Sequence, residues 1–259
     1  MIKKTIYTIG YTLFQQGNTI NIEALFNTLK KYNVKFLVDV RSVPYSKQYP
    51  QCNADNMKIA GNTFGISYMN MPEIGAKATN QQDVFSKATD IFLEQEVFPI
   101  AKSYRPEKTE LHGSDIIVNF KKFRNDKYFI SGLRRIEDAY AKDFTLCLMC
   151  SEKKPIDCHR YFLISKALEQ QFGNWLEVRH LIENSDGSIS YISNKDLDKQ
   201  LEEYVCYKKH ILNQIFKDDI LENYYGKNEQ EKITDFCDRY WNLLHGWKNN
   251  NYKNNENYD

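Results

Sequence analysis

The sequence lacks an excess of either charge, and it also lacks any long apolar run. Its 259 residues carry 35 Lys and Arg against 34 Asp and Glu, for a formal net charge of +1. A balance this even gives no global attraction to nucleic acid or to an anionic membrane. No stretch approaches the ~18 apolar residues that span a bilayer, and the first residues lack the apolar core of a secretory signal. The sequence therefore predicts a cytoplasmic protein with no membrane partner.

The cysteines lack the setting of a disulfide framework. Most of the six are expected to be reduced, because the chain is long and carries no export signal. Cys147, Cys206 and Cys237 lie in apolar patterns, where a thiol behaves as a small buried hydrophobe. Cys147-Leu-Met-Cys150 has the spacing of a redox pair, but it lies within a strand pattern rather than at a helix start. This position argues against redox chemistry between those two residues.

Hydrophobic residues nevertheless make up 42% of the chain, and they follow alternating strand and helix patterns. The predicted strands cover 2–9, 34–40, 65–69, 144–150 and 175–181, and the predicted helices cover 22–31 and 160–172. Asn33 and Gly173 are expected to end the two helices. Strand, helix and strand at these lengths form βαβ units with parallel strands. The sequence therefore predicts an α/β fold with a mostly parallel sheet, flanking helices and further helices at the C-terminus.

The C-terminal part of the sequence differs in pattern from the rest. We predict an α/β domain over residues 1–192, a helical extension over 193–247 packed on it, and a flexible tail over 248–259. Within the extension, six apolar residues follow one helical stripe from Ile233 to Leu244. Asn228 and Glu231 form a capping box at the start of that helix. We interpret the stripe as core packing rather than as a surface that binds a partner.

Two loops carry the residues suited to chemistry, and both follow predicted strands. In a parallel sheet, ligands bind beyond the carboxyl ends of the strands. The first loop is Asp39-Val-Arg41-Ser42-Val-Pro-Tyr-Ser46. Asp39 can bond a sugar hydroxyl or hold Arg41, and Arg41 can clamp a phosphate or a carboxylate. An Asp39–Arg41 contact that only fixes the fold is equally open. Asp39, Arg41, Ser42 and Ser46 are the substrate-binding candidates of this loop.

The second loop is Cys150-Ser-Glu152-Lys-Lys-Pro-Ile-Asp-Cys158-His159-Arg160, between a strand and a helix. The start of a helix favours anions and lowers the pKa of a thiol below its usual ~8.5. Glu152 can act as a general acid or base. The catalytic candidates are therefore Cys150, Glu152, Cys158 and His159, and Arg160 joins the substrate-binding set.

Other roles for these residues stay open. Cys150 can simply end a buried strand, His159 can cap or pack, and Glu152 can form a solvated ion pair. Cys150, Cys158 and His159 could bind zinc or iron, but adjacent ligands are awkward and no second close pair completes a tetrahedral set. The sequence therefore assigns no metal ligands and no cofactor, with zinc or iron as an alternative.

Several motifs resemble the domain-of-unknown-function family numbered 488, in order and spacing, over roughly residues 4–190. They are Thr8-Ile-Gly10-Tyr11, the run 37–46, Gly65-Ile-Ser-Tyr68, the runs 148–152 and 155–160, and Val178-Arg-His180-Leu. Many members have Gly-His-Ser at Gly10-Tyr11-Thr12 and Leu-Gly-Gly at Ile74-Gly75-Ala76. The strand-end cysteine before a loop and a helix is also similar in topology to rhodanese and cysteine-phosphatase sites. The layering is thus expected to be Rossmann-like or rhodanese-like.

The family resemblance implies a compact α/β domain with a cleft lined by these motifs, and no settled activity. From the residues we expect an enzyme acting on a phosphate-bearing or otherwise anionic substrate, such as a nucleotide or a nucleic-acid end. Arg41, Ser42 and Arg160 would hold the anion, and Cys150 or Cys158 would supply the thiol. The alternative is a non-catalytic module that binds a nucleotide, nucleic acid or metal. For nucleic acid, it would use basic and aromatic runs at 104–105, 120–124 and 207–210.

Overall fold

A computed structural model describes residues 3–76, 84–87 and 116–201, together with Asn228, Glu231 and Asp235. Its strands are β1 (Lys4–Gly10), β2 (Gln15–Gln16), β3 (Thr19–Ile20), β4 (Phe36–Asp39), β5 (Ser67–Asn70), β6 (Phe85–Lys87), β7 (Ile116–Val118), β8 (Leu146–Cys150), β9 (Leu176–Glu183) and β10 (Ile189–Ser193). Its α-helices are α1 (Ile22–Lys31), α2 (Ala54–Phe64), α3 (Phe120–Arg124), α4 (Lys127–Ala141) and α5 (Lys166–Phe172). A π-helix over Arg160–Ser165 runs directly into α5.

Six strands form one sheet in the order β10-β9-β1-β8-β4-β5. Every pairing in this sheet is parallel except that of β10 with β9. The predicted α/β class with a mostly parallel sheet is therefore confirmed. β8 lies between β1 and β4, so the two strands of the first predicted βαβ unit are parallel but are not neighbours.

Helices cover both faces of the sheet and form an apolar cluster with it on each face. Successive residues of β8 belong alternately to the two clusters. Leu148 and Cys150 pack into one cluster, together with residues of α4, the π-helix and α5. Cys147 and Met149 pack into the other, together with residues of α1 and α2. Because both faces are covered, all five residues of β8 are buried, as a near-continuous apolar strand predicts.

The ends of the helices follow the predicted stop signals. Asn33, just after α1, has a positive φ of 54°, the left-handed conformation that ends a helix. Gly173 caps α5 with a backbone bond from its N–H to the carbonyl of Glu169. The predicted helix over 160–172 begins as a π-helix, and the Ser165 hydroxyl donates to the carbonyl of Arg160 at 2.6 Å there.

Only part of the predicted C-terminal extension falls among the described residues. Residues 194–201 are helical, and Leu197 and Leu201 belong to the core cluster that contains Cys150. Asn228 Oδ1 accepts from the backbone N–H of Glu231 at 2.9 Å, the contact expected in a capping box. The stripe from 233 to 244 and the tail over 248–259 lie outside the described residues. No helix within the described ranges is long and apolar enough to cross a membrane.

Candidate functional site

Three neighbouring strands end at the same place and bring the two predicted loops together. Gly10 at the end of β1 pairs with Cys150 at the end of β8. Asp39 at the end of β4 pairs with Met149, and the backbone N–H of Val40 donates to the Met149 carbonyl at 3.0 Å. β8 is the central strand of the three, so Cys150 lies between the segments that follow β1 and β4.

Four side chains of the second loop converge at this point. Glu152 Oε2 lies 2.9 Å from Cys150 Sγ and 3.1 Å from Cys158 Sγ. His159 Nδ1 lies 3.8 Å from each of the two sulfur atoms. The two sulfur atoms and the ring nitrogen lie within 4.8 Å of one another. Cys150 is 3% exposed and Cys158 is 0% exposed, so both thiols are enclosed by protein. We call Cys150, Glu152, Cys158 and His159 the thiol cluster.

The imidazole of His159 is oriented by a backbone carbonyl of the first loop. His159 Nε2 lies 3.1 Å from the carbonyl oxygen of Val40. A carbonyl only accepts, so Nε2 carries a proton and Nδ1 faces the two thiols. The carboxylate of Glu152 has an outer contact as well, because its Oε1 accepts from the Ser151 hydroxyl at 2.9 Å.

Arg160 holds the backbone of the second loop. Its Nη1 donates to the carbonyl of Glu152 at 2.7 Å, and its Nη2 donates to the carbonyl of Lys153 at 3.1 Å. A short turn at Pro155 brings the chain back, with the Cys158 N–H donating to the Pro155 carbonyl at 3.0 Å. Arg160 is fully buried. These contacts of Arg160 position the loop, and its expected role as an anion ligand stays a prediction.

Gly10 allows the second loop to approach β1 closely, and Thr12 holds the loop there by a hydrogen bond. A Cβ atom on Gly10 would lie 1.7 Å from the carbonyl oxygen of Glu152, so no larger residue fits. Two residues on, the Thr12 hydroxyl donates to the Ser151 carbonyl at 2.5 Å. The short segment after β1 is therefore part of the site.

The four groups of the thiol cluster strongly affect one another's ionisation. Burial raises the pKa of Cys150, but the contact with Cys158 and the charge of His159 outweigh it and lower the pKa to about 6. Burial and the neighbouring Cys150 raise the pKa of Cys158. Burial opposes charge on Glu152, yet hydrogen bonds from both thiols lower its pKa to about 2. Burial lowers the pKa of His159, but the negative charges of Cys150 and Glu152 raise it overall.

Asp39 and Arg41 of the first loop form a buried ion pair. Arg41 Nη2 lies 2.5 Å from Asp39 Oδ2, and Arg41 Nε lies 2.9 Å from Asp39 Oδ1. Asp39 also accepts from the Tyr68 hydroxyl at 2.7 Å, and Arg41 Nη2 donates to the Cys52 carbonyl at 2.7 Å. Of the two roles left open by the sequence, the internal contact is present. Arg41 Nη1 is buried and has no hydrogen-bond partner among the described residues.

Tyr11 was not among the candidate residues, and it joins the first loop to the thiol cluster. Its ring lies 5.2 Å from the guanidinium carbon of Arg41. Burial raises the pKa of Tyr11. The charge of Arg41 and a hydrogen bond with Ser46 lower this pKa, whereas the charge of Cys150 raises it further. The family resemblance already marked this position, because Tyr11 stands where the resembling motif has a histidine.

The two serines of the first loop make contacts that shape it, and their expected role in substrate binding stays a prediction. Ser46 Oγ accepts from the Tyr49 N–H at 3.0 Å, and the Ser46 N–H donates to Asn53 Oδ1 at 2.6 Å. Ser42 lies against Gly75, where an added Cβ would come within 2.5 Å of the serine hydroxyl. The Gly75 position of the family motif therefore permits the close packing of this loop.

One of the three basic and aromatic runs can be placed. Phe120 and Phe123 are fully buried in the core, so the run at 120–124 offers no aromatic surface for stacking bases. The runs at 104–105 and 207–210 lie outside the described residues.

Residues 21–167 match the family described as domain of unknown function DUF488, which is more than half of the chain. The chain belongs to the DUF488 family. The match includes both loops, and therefore all nine candidate residues, while Tyr11 and the resembling segments 8–11 and 178–181 lie outside it. No curated protein and no solved structure matches the chain. The DUF488 assignment carries no activity with it, so the function has to be argued from the site.

Proposed function

We propose that this DUF488 chain is a zinc protein whose ion is held by Cys150, Cys158 and His159, with Glu152 as the fourth ligand. The observation that carries the proposal is the position of His159 Nδ1, 3.8 Å from each of the two thiol sulfur atoms. Zinc–sulfur bonds of about 2.3 Å and zinc–nitrogen bonds of about 2.0 Å at a tetrahedral angle place sulfur and nitrogen roughly 3.5 Å apart. The side chains need to move only slightly to reach that separation.

The carboxylate of Glu152 completes the set of four donors. Its Oε2 lies 2.9 and 3.1 Å from the two sulfur atoms, so it is a further oxygen donor directly beside both thiols. Unlike Cys150 and Cys158, Glu152 is only partly buried, so it is the ligand that a water or a substrate can displace. Three protein ligands with an exchangeable fourth position are typical of catalytic zinc, whereas structural zinc is closed.

The outer contacts of the cluster support the same proposal. A metal-bound histidine almost always donates its other ring N–H to a carbonyl, a carboxylate or water, and a ligating carboxylate is in turn hydrogen-bonded. His159 Nε2 contacts the Val40 carbonyl, and Glu152 Oε1 accepts from Ser151.

The choice of zinc rests on the type and number of donors. Two thiolates and an imidazole are soft to intermediate ligands, which select zinc or iron over magnesium and calcium. A set of four donors, two of them thiols, favours the tetrahedral geometry that zinc adopts. If iron is found at the same four donors, the identity of the ion is corrected and the proposed site is retained.

The test is the metal content of protein purified anaerobically without a metal-binding tag. We expect about one zinc per chain, lost in Cys158→Ser and retained in Cys147→Ser. Cys147 is an equally buried thiol that packs on the opposite face of the sheet, so its variant controls for the loss of a buried cysteine. Circular dichroism of both variants separates loss of the ion from loss of the fold. Wild-type protein that stays metal-free after incubation with zinc would contradict the proposal.

A second candidate is a thiol enzyme that acts on a phosphate-bearing or carboxylate substrate without a metal. Cys150 with a histidine nitrogen 3.8 Å away is the nucleophile and base arrangement of such enzymes. Arg41 Nη1, buried and without a partner among the described residues, could contact the anion. Support for this candidate would be thermal stabilisation of the metal-free protein by a phosphorylated or carboxylated compound, lost in Arg41→Gln. Stabilisation only of the zinc-loaded protein would argue for the first candidate.

A further inference from the structure

The two thiols of the cluster lie close enough to react with each other. Cys150 Sγ and Cys158 Sγ are within 4.8 Å of one another, and both contact the same oxygen atom of Glu152. We propose that Cys150 and Cys158 form a reversible disulfide when a small peroxide reaches the cluster. The disulfide is a second state of the site, and it is chemically distinct from the binding of a metal.

The positions of the four described cysteines select this pair. Cys150 and Cys158 belong to the same apolar cluster, on one face of the sheet. Cys147 and Cys52 belong to the cluster on the other face. Cys147 is close to Cys150 in sequence, but successive residues of a strand point to opposite faces, so these two thiols are kept apart. Spacing in the sequence therefore favours Cys147 as the partner of Cys150, whereas the fold brings Cys158 to Cys150.

The second loop is held in a shape that a disulfide can close. The turn at Pro155 brings Cys158 back toward the end of β8. Arg160 fixes the carbonyls of Glu152 and Lys153, so the middle of the loop stays in place when the thiols react. A disulfide needs a sulfur–sulfur distance of about 2.0 Å, which side-chain rotation from the present contact can approach. The two ends of the loop already lie together, so the disulfide requires little further movement of the backbone.

The reaction balances with a peroxide as the only oxidant. The Cys150 sulfur attacks one peroxide oxygen, the O–O bond breaks, and the products are a sulfenic acid on Cys150 and an alcohol, or water from hydrogen peroxide. The Cys158 sulfur then attacks the Cys150 sulfur, the S–S bond forms, and the hydroxyl leaves as water with the Cys158 proton. Cys150 is the first to react because it is the slightly exposed thiol, whereas Cys158 is fully enclosed. An added dithiol reduces the pair again by exchange.

The disulfide and the proposed zinc use the same two sulfur atoms, so each excludes the other. Oxidation of the zinc-loaded chain is therefore expected to release the ion. This consequence rests on the proposed zinc site, whereas the disulfide itself does not, because the two thiols lie together with or without a metal.

The test compares metal-free and zinc-loaded full-length protein after treatment with a slight excess of hydrogen peroxide. Free thiols are alkylated under denaturing conditions, and the protein is analysed by intact mass and by non-reducing peptide mapping. In the metal-free wild type we expect four of the six cysteines to be alkylated, a further loss of the mass of two hydrogen atoms, and a peptide that links Cys150 to Cys158. Cys147→Ser is the matched control and keeps the link. Cys150→Ser and Cys158→Ser lose it, and Cys158→Ser accumulates oxygen on Cys150.

The outcomes separate this inference from the proposed function. A disulfide in a protein that never binds zinc would support the inference and contradict the zinc site. Zinc binding together with metal-free protein that acquires oxygen on Cys150, while Cys158 remains open to alkylation, would overturn the inference and retain the zinc site. Links between two chains, or a link to Cys147 or Cys52, would also overturn it.

Discussion

His159 Nε2 lies 3.1 Å from the carbonyl oxygen of Val40, and this contact joins the two loops of the site. It fixes the ring so that Nδ1 faces Cys150 and Cys158. The orientation matters because a histidine ligand needs its metal-binding nitrogen free and its other nitrogen held. The position of a single imidazole thus links the end of β4 to the chemistry at the end of β8.

His159→Gln is expected to weaken zinc binding strongly. Loss of an outer contact to a metal ligand costs about 10–100-fold in affinity, so loss of the ligand itself is expected to cost more than about 100-fold. Competition against a chromogenic chelator measures the change. An affinity within a few-fold of the wild type would remove His159 from the set of ligands.

Ser151→Ala tests the outer contact of the fourth ligand. The Ser151 hydroxyl donates to Glu152 Oε1 at 2.9 Å, so its loss leaves the carboxylate less well oriented. We expect zinc affinity to fall by about 10-fold with little change in the fold. The same competition assay applies, and an effect as large as that of His159→Gln would mean that the serine acts in another way.

Gly10→Ala is expected to disrupt the approach of the second loop to β1. The added Cβ would lie 1.7 Å from the Glu152 carbonyl oxygen, a backbone atom that Arg160 holds in place. Overpacking of this kind costs about 1–3 kcal/mol and occasionally more, and we expect the upper part of that range. Urea unfolding measures the change, with Gly17→Ala as the comparison for backbone strain alone, because Gly17 has a φ of +58° and its added Cβ would meet no other atom. Equal effects of the two variants would contradict the account of Gly10.

Asp198→Asn is expected to loosen the helix over residues 194–201. Asp198 Oδ1 accepts from the Tyr161 hydroxyl at 2.6 Å and forms an ion pair with Lys166, which is itself buried. Removal of one partner of a buried ion pair costs about 3–5 kcal/mol, because the other charge stays behind. The double variant Asp198→Asn with Lys166→Met is the control. It should recover part of the loss in free energy of unfolding if the cause is the buried lysine, which keeps only Glu169 at 3.8 Å as an ion-pair partner.

Acid is expected to destabilise the fold in part through His180. The ring is buried between the Thr8 hydroxyl, 2.7 Å from Nδ1, and Asn194 Oδ1, 2.6 Å from Nε2. Burial lowers the pKa of His180 to about 3 from the ordinary value of 6.5. Between these values the unfolded chain binds the proton and the folded chain does not, so stability falls as the pH falls below about 6.5.

Urea unfolding between pH 7.5 and pH 5 measures this effect. His180→Gln, which has no group that titrates in this range, should show a shallower decline than the wild type. Glu152, with its lowered pKa, contributes to the decline only further into acid, below about pH 4.5. Identical slopes for the wild type and His180→Gln would show that His180 binds its proton equally well in the folded and the unfolded chain, which would contradict the lowered pKa.

The main strands and the first helix could be predicted from local patterns. Apolar runs mark β1, β4, β8 and β9, and the helical spacing marks α1, because local periodicity reflects which faces are buried. The order of the strands could not be predicted. Parallel strands pair through tertiary packing, so nothing in the local pattern places β8 between β1 and β4.

The same limit applies to the site. The positions of the two loops at strand ends were predicted, because that rule follows from the topology of parallel sheets. Adjacency of Cys158 and His159 in the sequence argued against a shared metal site. The extended backbone of Cys158 and the start of a π-helix at Arg160 direct Sγ and Nδ1 to the same point. The roles of Arg160 and Tyr11 also depend on contacts between segments far apart in the chain.

The most direct test of the proposed centre is X-ray absorption at the zinc edge of the purified, zinc-loaded chain. The account predicts two sulfur ligands at about 2.3 Å and two nitrogen or oxygen ligands at about 2.0 Å, and no zinc bound by this set of ligands in Cys158→Ser. A spectrum without sulfur ligands, or with sulfur ligands that persist in both Cys150→Ser and Cys158→Ser, would contradict the assignment of zinc to the thiol cluster.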